Sequence, residues 1–250
     1  MLTTLKSKRI IDSRHTLFIM EGKEIASEAL PGQFVEVRVA EGLHPIMRKP
    51  LSIFCTEDDM FGLLVRTDGY GAKMMLRWEL GEKIDIIGPL GQGFCFSDDD
   101  DEFILAAGGV GLASLNMFAQ ELLKKGKKVH LLFSPKRNDS VLEALTETEG
   151  LRIIRTENRG TVAEDLKKLI SSLDKPCGVY SCGPNEFLRC VTETALECGL
   201  RAYVSLETRM SCGMGACLGC AVAIRQGEET VYKSACCDGP VFLGEEVIFE

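Results

Sequence analysis

The chain has 250 residues, 45% apolar and 26% charged, with a net charge of −8 from 37 acidic against 29 basic residues. That composition belongs to a folded globular protein of one or two domains, and its acidic balance excludes nucleic acid as a main partner. No apolar run reaches 18 residues and residues 1–11 carry Lys6, Lys8 and Arg9 without an apolar segment, so neither a membrane span nor a secretory signal is expected, and the expected location is the cytoplasm.

Residues 1–98 contain short apolar or alternating runs at 33–39, 51–55, 63–66 and 84–87, separated by Pro31-Gly32, Asp68-Gly69 and Gly88-Pro89. Many short strands at close spacing predict a small β-barrel or sandwich, interrupted by one helix near 72–78. Arg48-Lys49-Pro50-Leu51-Ser52 ends a loop and opens a strand. Positive charge and a hydroxyl there suit a pyrophosphate and a flavin edge, although such a pentapeptide is more often only a strand start. Gly88-Pro89-Leu90-Gly91-Gln92-Gly93-Phe94 holds more glycine than a hairpin needs, which points to close backbone approach to a ligand or to a wide turn. The acidic run 98–101 reads as a solvated linker.

Residues 99–205 change pattern. Apolar runs at 103–107, 129–133, 151–154 and 179–181 alternate with helical spacing at 112–123, 162–170 and 188–198. Strands alternating with helices predict βαβ units on a parallel sheet. Lys124–Lys128 lies at a helix end, where positive charge complements the dipole. Gly108, Gly109 and Gly111 fall between a strand and a helix, where glycines admit a dinucleotide phosphate; an ordinary tight turn has the same look. Cys182-Gly183-Pro184 occupies a second strand-to-helix junction. Cys182 there is either a neighbour of a nicotinamide ring or a buried thiol.

Residues 206–250 are rich in Cys and Gly and show little periodicity. Eleven cysteines in a reducing compartment do not form a disulfide framework, and an odd number cannot pair completely. Cys212, Cys217 and Cys220 have C-x4-C-x2-C spacing, with Cys236 further on. This is the plant-type spacing for a two-iron, two-sulfur cluster. A loop that wraps four thiolates around two irons must turn sharply, and Gly213, Gly215 and Gly219 permit positive φ there. A four-cysteine zinc site and a set of core thiols are the bland alternatives; Cys236 and Cys237 compete for the fourth ligand position. His15, His44 and His130 stand beside no second catalytic type and read as ordinary surface or core residues.

The order of these signals resembles the ferredoxin reductase superfamily: R-x-P-x-S, then G-P-L-G-x-G-F, then G-G-V-G, then C-G-P. With C-G-M-G-x-C-x-G-C and the closing Cys-Cys-Asp-Gly-Pro-Val-Phe of residues 236–242, nearly the whole chain resembles the electron-transfer subunits of NAD-dependent (type B) dihydroorotate dehydrogenases. The resemblance implies an FAD-binding β-barrel over 1–98, a parallel α/β NAD-binding domain over 99–205 and a [2Fe-2S] module over 206–250. It implies flavin contacts at Lys49, Pro50, Leu51 and Ser52, with Arg48 preceding Lys49 where the family has Arg. Further contacts are implied at Leu64, Val65 and Arg66 and at Gly71 and Ala72, the last replacing a family Thr. The family's G-x-G-x-A-P loop falls on Gly109, Gly111 and Ala113, with Ser114 in place of Pro. The implied cluster ligands are Cys212, Cys217, Cys220 and Cys236.

The implied function is electron transfer from an FMN-containing dihydroorotate-oxidising partner, through the cluster and FAD, to NAD+, in pyrimidine synthesis. The implied assembly is a heterotetramer with two copies of each subunit. Arg137 is placed to meet the 2′-phosphate of NADP, or is simply solvated. Two rivals are a related FAD/iron–sulfur subunit of an NADPH–ferredoxin or sulfide-type oxidoreductase, and a zinc-stabilised module without redox activity.

Overall fold

The computed structural model describes residues 1–42, 45–135, 140–145, 149–156 and 159–249. Its first sheet has seven strands: β1 (Leu2–Ile10), β2 (His15–Glu21), β3 (Phe34–Val37), β4 (Lys49–Ser52), β5 (Cys55–Glu57), β6 (Met60–Arg66) and β7 (Lys83–Leu90). All pairings are antiparallel, in the order β4-β3-β7-β1-β2-β6-β5. Alternation sends Leu5, Phe18, Val35, Phe61, Leu63, Val65, Ile84 and Ile86 into one core, so the sheet curls around a single set of side chains. Two short helices close that core, α1 (Lys23–Glu28) with Ile25 and α2 (Tyr70–Met75) with Ala72 and Met75. The helix expected near 72–78 therefore starts two residues earlier and stops sooner. Trp78 follows it in a turn, buried edge-on to Phe18, with its indole N–H donating to the Val39 carbonyl at 3.2 Å.

The second sheet has the order β10-β9-β8-β11-β12-β15. Its strands are β8 (Glu102–Gly108), β9 (Lys128–Ser134), β10 (Leu151–Arg155), β11 (Pro176–Cys182), β12 (Ala202–Ser205) and β15 (Val241–Leu243); the first five are parallel and β15 is antiparallel to β12. On β8, Phe103, Leu105 and Ala107 meet one face, where α3 (Leu112–Lys124) lies with Leu115, Phe118 and Leu122. Ile104 and Ala106 meet the other, under α4 (Val162–Ser171) and α5 (Asn185–Glu197). Burial on both faces is why these strands read as continuous apolar runs. The first sheet docks on the α3 side: Leu17, Phe54, Leu64 and Phe94 share a core with α3. The acidic run is tied down as well as solvated, because Lys125 pairs with Asp98 and Lys127 with Asp101, each at 3.1 Å.

The C-terminal stretch holds a hairpin, β13 (Ala221–Gln226) and β14 (Glu229–Ser234), before β15. It builds no core of its own. Cys220, Ile224, Ala235, Cys236 and Phe242 pack in one cluster with α4, α5 and Phe34 of the first sheet.

Candidate functional site

A cleft enclosing about 250 Å³ opens where the two sheets meet. One wall is β4 (Lys49, Pro50, Leu51, Ser52) with Leu64 and Arg66 of β6. The other holds Val110 and Ala113 at the start of α3, Cys182 at the end of β11, and the segment after β12 from Ser205 to Thr208. Strand ends facing a helix start are where α/β sheets hold ligands. The volume lies just under the roughly 300–1,000 Å³ of drug-sized ligand pockets, so it takes one ring system and not a whole dinucleotide.

The expected flavin residues divide. Lys49, Pro50, Leu51, Ser52, Leu64 and Arg66 come together on the cleft wall, as does Cys182. Val65 does not, because strand alternation turns it into the first sheet's core; Ala72 is buried in the same core. Gly71 packs near Val39. Arg48 turns away: its guanidinium donates to the Asp85 carbonyl at 2.9 Å and pairs with the Asp85 carboxylate. Lys49 is then the cation of this loop that faces the cleft.

The glycine loops approach each other. A methyl group on Gly111 would lie 2.2 Å from the Cys182 carbonyl oxygen. One on Gly183 would lie 3.0 Å from the Gly108 Cα, and one on Gly108 would lie 3.0 Å from Pro184. Gly109 has φ +58°. The two strand-to-helix junctions are thus packed backbone to backbone, which brings Cys182 and the start of α3 to one spot. The glycine-rich stretch 88–94 likewise meets its own chain: a methyl on Gly91 would touch Pro240 at 2.6 Å, and Gln92 donates through Nε2 to the Cys237 carbonyl at 3.1 Å. That contact clamps the C-terminal cysteine turn to the first sheet.

The cleft wall runs on through Met210 into the cysteine loop. All four thiols are free; Cys212 lies beside Cys217, and Cys220 beside Cys236, so the thiols stand in two neighbouring pairs. Backbone amides point at the sulfurs: Gly215 N–H to Cys236 at 3.2 Å, Gly219 N–H to Cys217 at 3.4 Å and Met214 N–H to Cys212 at 3.5 Å. The Met214 and Cys217 N–H groups hold the Cys212 thiol down at about 7, whereas burial pushes Cys220 and Cys236 up. Gly213 and Gly215 have φ of +69° and +79°. The third left-handed residue of the loop is Leu218 at +55°, in place of Gly219. Cys236 is buried and Cys237 exposed, with their sulfurs 3.7 Å apart. Among the described residues, no three His, Cys, Asp or Glu side chains stand in single-ion geometry. The donor set fits a two-iron cluster: four thiols in two pairs, with amide N–H groups to hold negative sulfur.

Sequence reasoning missed two carboxylates. Glu207 lies at the mouth of the cleft facing Lys49 and Arg66; desolvation there pushes its carboxyl up, against the pull of both cations. Desolvation likewise lowers Lys49. Glu36 on β3 is fully buried, with no hydrogen-bond partner for either oxygen. Burial raises its carboxyl to about 7, opposed by Arg48 and Lys49 and reinforced by Cys212. Glu36 sits in an alternating strand where a polar residue signals the solvent face; the folded cysteine loop packs over it at Gly213. His15 is held by Asp12 at 3.0 Å and His130 by Glu102 at 3.1 Å, both away from the cleft. His44 and Arg137 lie outside the described residues.

Residues 207–248 match the family model for the iron-sulfur cluster binding domain of dihydroorotate dehydrogenase B. A dihydroorotate dehydrogenase B (NAD(+)) electron transfer subunit from Geobacillus thermodenitrificans is 33% identical over 98% of this chain and 97% of its own. A second, from Desulforamulus reducens, is 34% identical over 92% and 91%. Among solved structures, a chain of the NADH-dependent reduced ferredoxin-NADP oxidoreductase, described with flavin-based electron bifurcation, superimposes with a TM-score of 0.84 at 28% identity, over 100% of this chain and 90% of that one. Phthalate dioxygenase reductase shares the fold at a TM-score of 0.64 and 18% identity, over 97% of both chains. The cleft, the paired thiols and end-to-end similarity agree: this chain belongs to the family of electron transfer subunits of dihydroorotate dehydrogenase B (NAD(+)).

Proposed function

We propose that this chain carries electrons from a dihydroorotate-oxidising, FMN-containing partner subunit, through a [2Fe-2S] cluster and FAD, to NAD+, in pyrimidine synthesis. The observation that carries this reading is continuity: the cleft wall reaches Met210, and Cys212 is two residues further on. A flavin in the cleft then lies beside a cluster on the cysteine loop. Bound together, the two groups let single electrons and hydride pairs be exchanged, which neither group does alone.

The residues divide the work. Residues 1–98 offer FAD the β4 and β6 wall, with Lys49 and Arg66 as cations for phosphate or for reduced-ring charge and Ser52 as a hydroxyl contact. Residues 99–205 offer NAD the loops at Gly108, Gly109, Gly111 and Cys182-Gly183-Pro184, with the N-terminus of α3 for phosphate. Residues 206–250 would hold the cluster, on the thiolates of Cys212, Cys217, Cys220 and Cys236. Cys237 is a bystander: its sulfur is exposed, while that of Cys236 meets Cys220 and the Gly215 amide. Ile46, Met214 and Leu218 are exposed apolar side chains, the last two on the cysteine loop, and supply a surface for the catalytic subunit. The assembly is a heterotetramer with two copies of each chain.

A ferredoxin–NADP type of partner is the second reading, favoured by the superposition at a TM-score of 0.84. Anaerobic co-purification from native cells, with iron, FAD and FMN analysis, separates the two. Iron, FAD and FMN with dihydroorotate-dependent NADH formation is the expected result; iron and FAD with a ferredoxin-linked partner supports the second. Cys217→Ser is expected to remove the cluster's visible absorbance and most bound iron while FAD stays. A full complement of iron and sulfide in that variant would falsify the ligand assignment.

A further inference from the structure

The thiols of the cysteine loop and of the turn that closes it are not equally open to solvent. Cys220 and Cys236 are only 3% and 2% exposed. Cys217 and Cys237 are exposed, and Cys212 is half-buried. Cys212 and Cys217 can therefore meet an incoming group directly, whereas the pair of Cys220 and Cys236 is the closed half of the site. Cys237 is the exposed thiol at that half, its sulfur 3.7 Å from that of Cys236.

Adjacent residues on an extended chain send their side chains to opposite sides. Residues 234–238 are instead a tight turn. The N–H groups of Cys237 and Asp238 donate to the Ser234 carbonyl at 3.1 and 2.8 Å, and the Ser234 N–H donates to the Asp238 carboxylate at 2.7 Å. Gln92 Nε2 holds the Cys237 carbonyl at 3.1 Å. The turn keeps both sulfurs over Gly215. The Gly215 N–H donates to the Cys236 sulfur at 3.2 Å, and a methyl group on Gly215 would lie 2.8 Å from the Cys237 sulfur. Glycine at 215 thus leaves room for a fifth thiol where a two-iron cluster needs four.

We propose that Cys237 is the loading thiol of this site: it takes hold of an incoming [2Fe-2S] cluster at the surface and hands its iron to the buried Cys236. This rests on the iron–sulfur reading of the loop. A bystander to the finished cluster, Cys237 acts before the ligand set is complete. The co-reactant is a carrier that presents the cluster on its own thiolates. Cys237 first replaces one carrier thiolate; Cys236, behind it, then replaces Cys237. Each exchange forms one iron–sulfur bond and breaks another. The proton of the incoming thiol passes to the leaving thiolate, and no electron moves. Access governs such exchange. An exposed thiol begins what a thiol 2% exposed begins only after its turn opens.

The test uses the FAD-bound full chain, freed of iron, and a [2Fe-2S] cluster carried on glutathione as the donor. Visible circular dichroism follows loading without oxygen in four forms: parent, Cys237→Ala, Cys236→Ala and the double variant. Cys237→Ala is expected to load about 10-fold more slowly, yet to reach the parental iron and sulfide content and the parental electron paramagnetic resonance spectrum. Cys236→Ala is expected to keep a cluster on Cys237 with a shifted spectrum, and the double variant to hold none. Loading of Cys237→Ala at the parental rate overturns the proposal. So does a Cys236→Ala chain that binds FAD and stays without iron, because Cys237 then does not reach the metal. A Cys237→Ala chain that ends short of the parental iron content also overturns it, by making Cys237 a permanent ligand. A parent that binds FAD but takes up no cluster overturns the iron–sulfur reading beneath it, a distinct result.

Discussion

Glu36 is the residue most at odds with its surroundings. A carboxyl without a partner in a core is costly when charged, and the cost appears as its rise to about 7. A group whose folded value lies above its unfolded one favours the folded state below the unfolded value of 4.5, and that contribution is lost as pH rises through about 7. Glu36→Gln removes this slope. Relative to the parent, the variant should therefore gain stability between pH 4.5 and pH 8, by roughly 3 kcal/mol in all. Thermal midpoints of both chains at the two pH values check this, and parallel curves would refute it. The same carboxyl shows how a residue misleads: in Phe34-Val35-Glu36-Val37 it reads as the outer face of a strand. It is outer with respect to the first sheet, and Gly213 folds over it, where a methyl group would lie 2.7 Å from Glu36 Cγ.

At the scale of elements, the junctions matter more than the strands and helices they join. Gly111 has no room for a side chain, whereas Gly126, after the end of α3, has open space and needs only its φ of +75°. Gly111→Ala should cost about 3 kcal/mol, through displacement of the Cys182 carbonyl. Gly126→Ala should cost only about 1 kcal/mol, the ordinary penalty of a left-handed residue. Urea midpoints of the two variants give the comparison, and equal losses would mean that the junction yields. The helices at 112–123 and 188–198 were legible because one apolar face repeats at helical spacing; β8 and β9 were legible because both faces are buried. β1 and β2 were not read. β1 buries only Thr3, Thr4 and Leu5 while Lys6, Ser7 and Arg9 are exposed, so its apolar signal is too short to register. The β13–β14 hairpin was missed for a related reason, since only Ile224 is fully buried along β13.

The whole molecule is held by straps between units. Near the C-terminal end of β1, the Arg9 guanidinium donates to the Glu143 and Ala144 carbonyls at 3.2 and 3.3 Å. Nearby, Asp12 accepts from the Ser140 hydroxyl and from His15. Burial would raise the Asp12 carboxyl, but hydrogen bonds from Ser140, His15 and the Arg14 amide outweigh it and hold it far below the usual range. A depressed carboxyl contributes stability above its unfolded value of 3.8 and loses it as pH falls through the folded value. Asp12→Asn should thus cost about 1–2 kcal/mol at pH 7, and the gap to the parent should narrow below pH 4. Midpoints at pH 7 and pH 3 decide it; a gap that widens in acid would contradict the sign. The remaining straps are the Gln92–Cys237 contact and the antiparallel pairing of β15 with β12, which ties the cysteine-rich end into the second sheet.

Local spacing determined the parallel α/β pattern, the plant-type cluster spacing of Cys212, Cys217 and Cys220, and the order of motifs that marks the family. Each is a property of neighbours along the chain: helical periodicity, a loop short enough to wrap a cluster, glycines at strand-to-helix junctions. Tertiary structure alone decided what those motifs face. It turned Arg48 to Asp85 and left Lys49 in the cleft, buried Val65 and Ala72 in the first sheet's core, and brought Glu207 to the cleft mouth. It also joined Ser114 to Ser205, 91 residues apart. No local pattern encodes such contacts, because the side of a strand that meets solvent, ligand or another sheet is fixed only when the sheets dock.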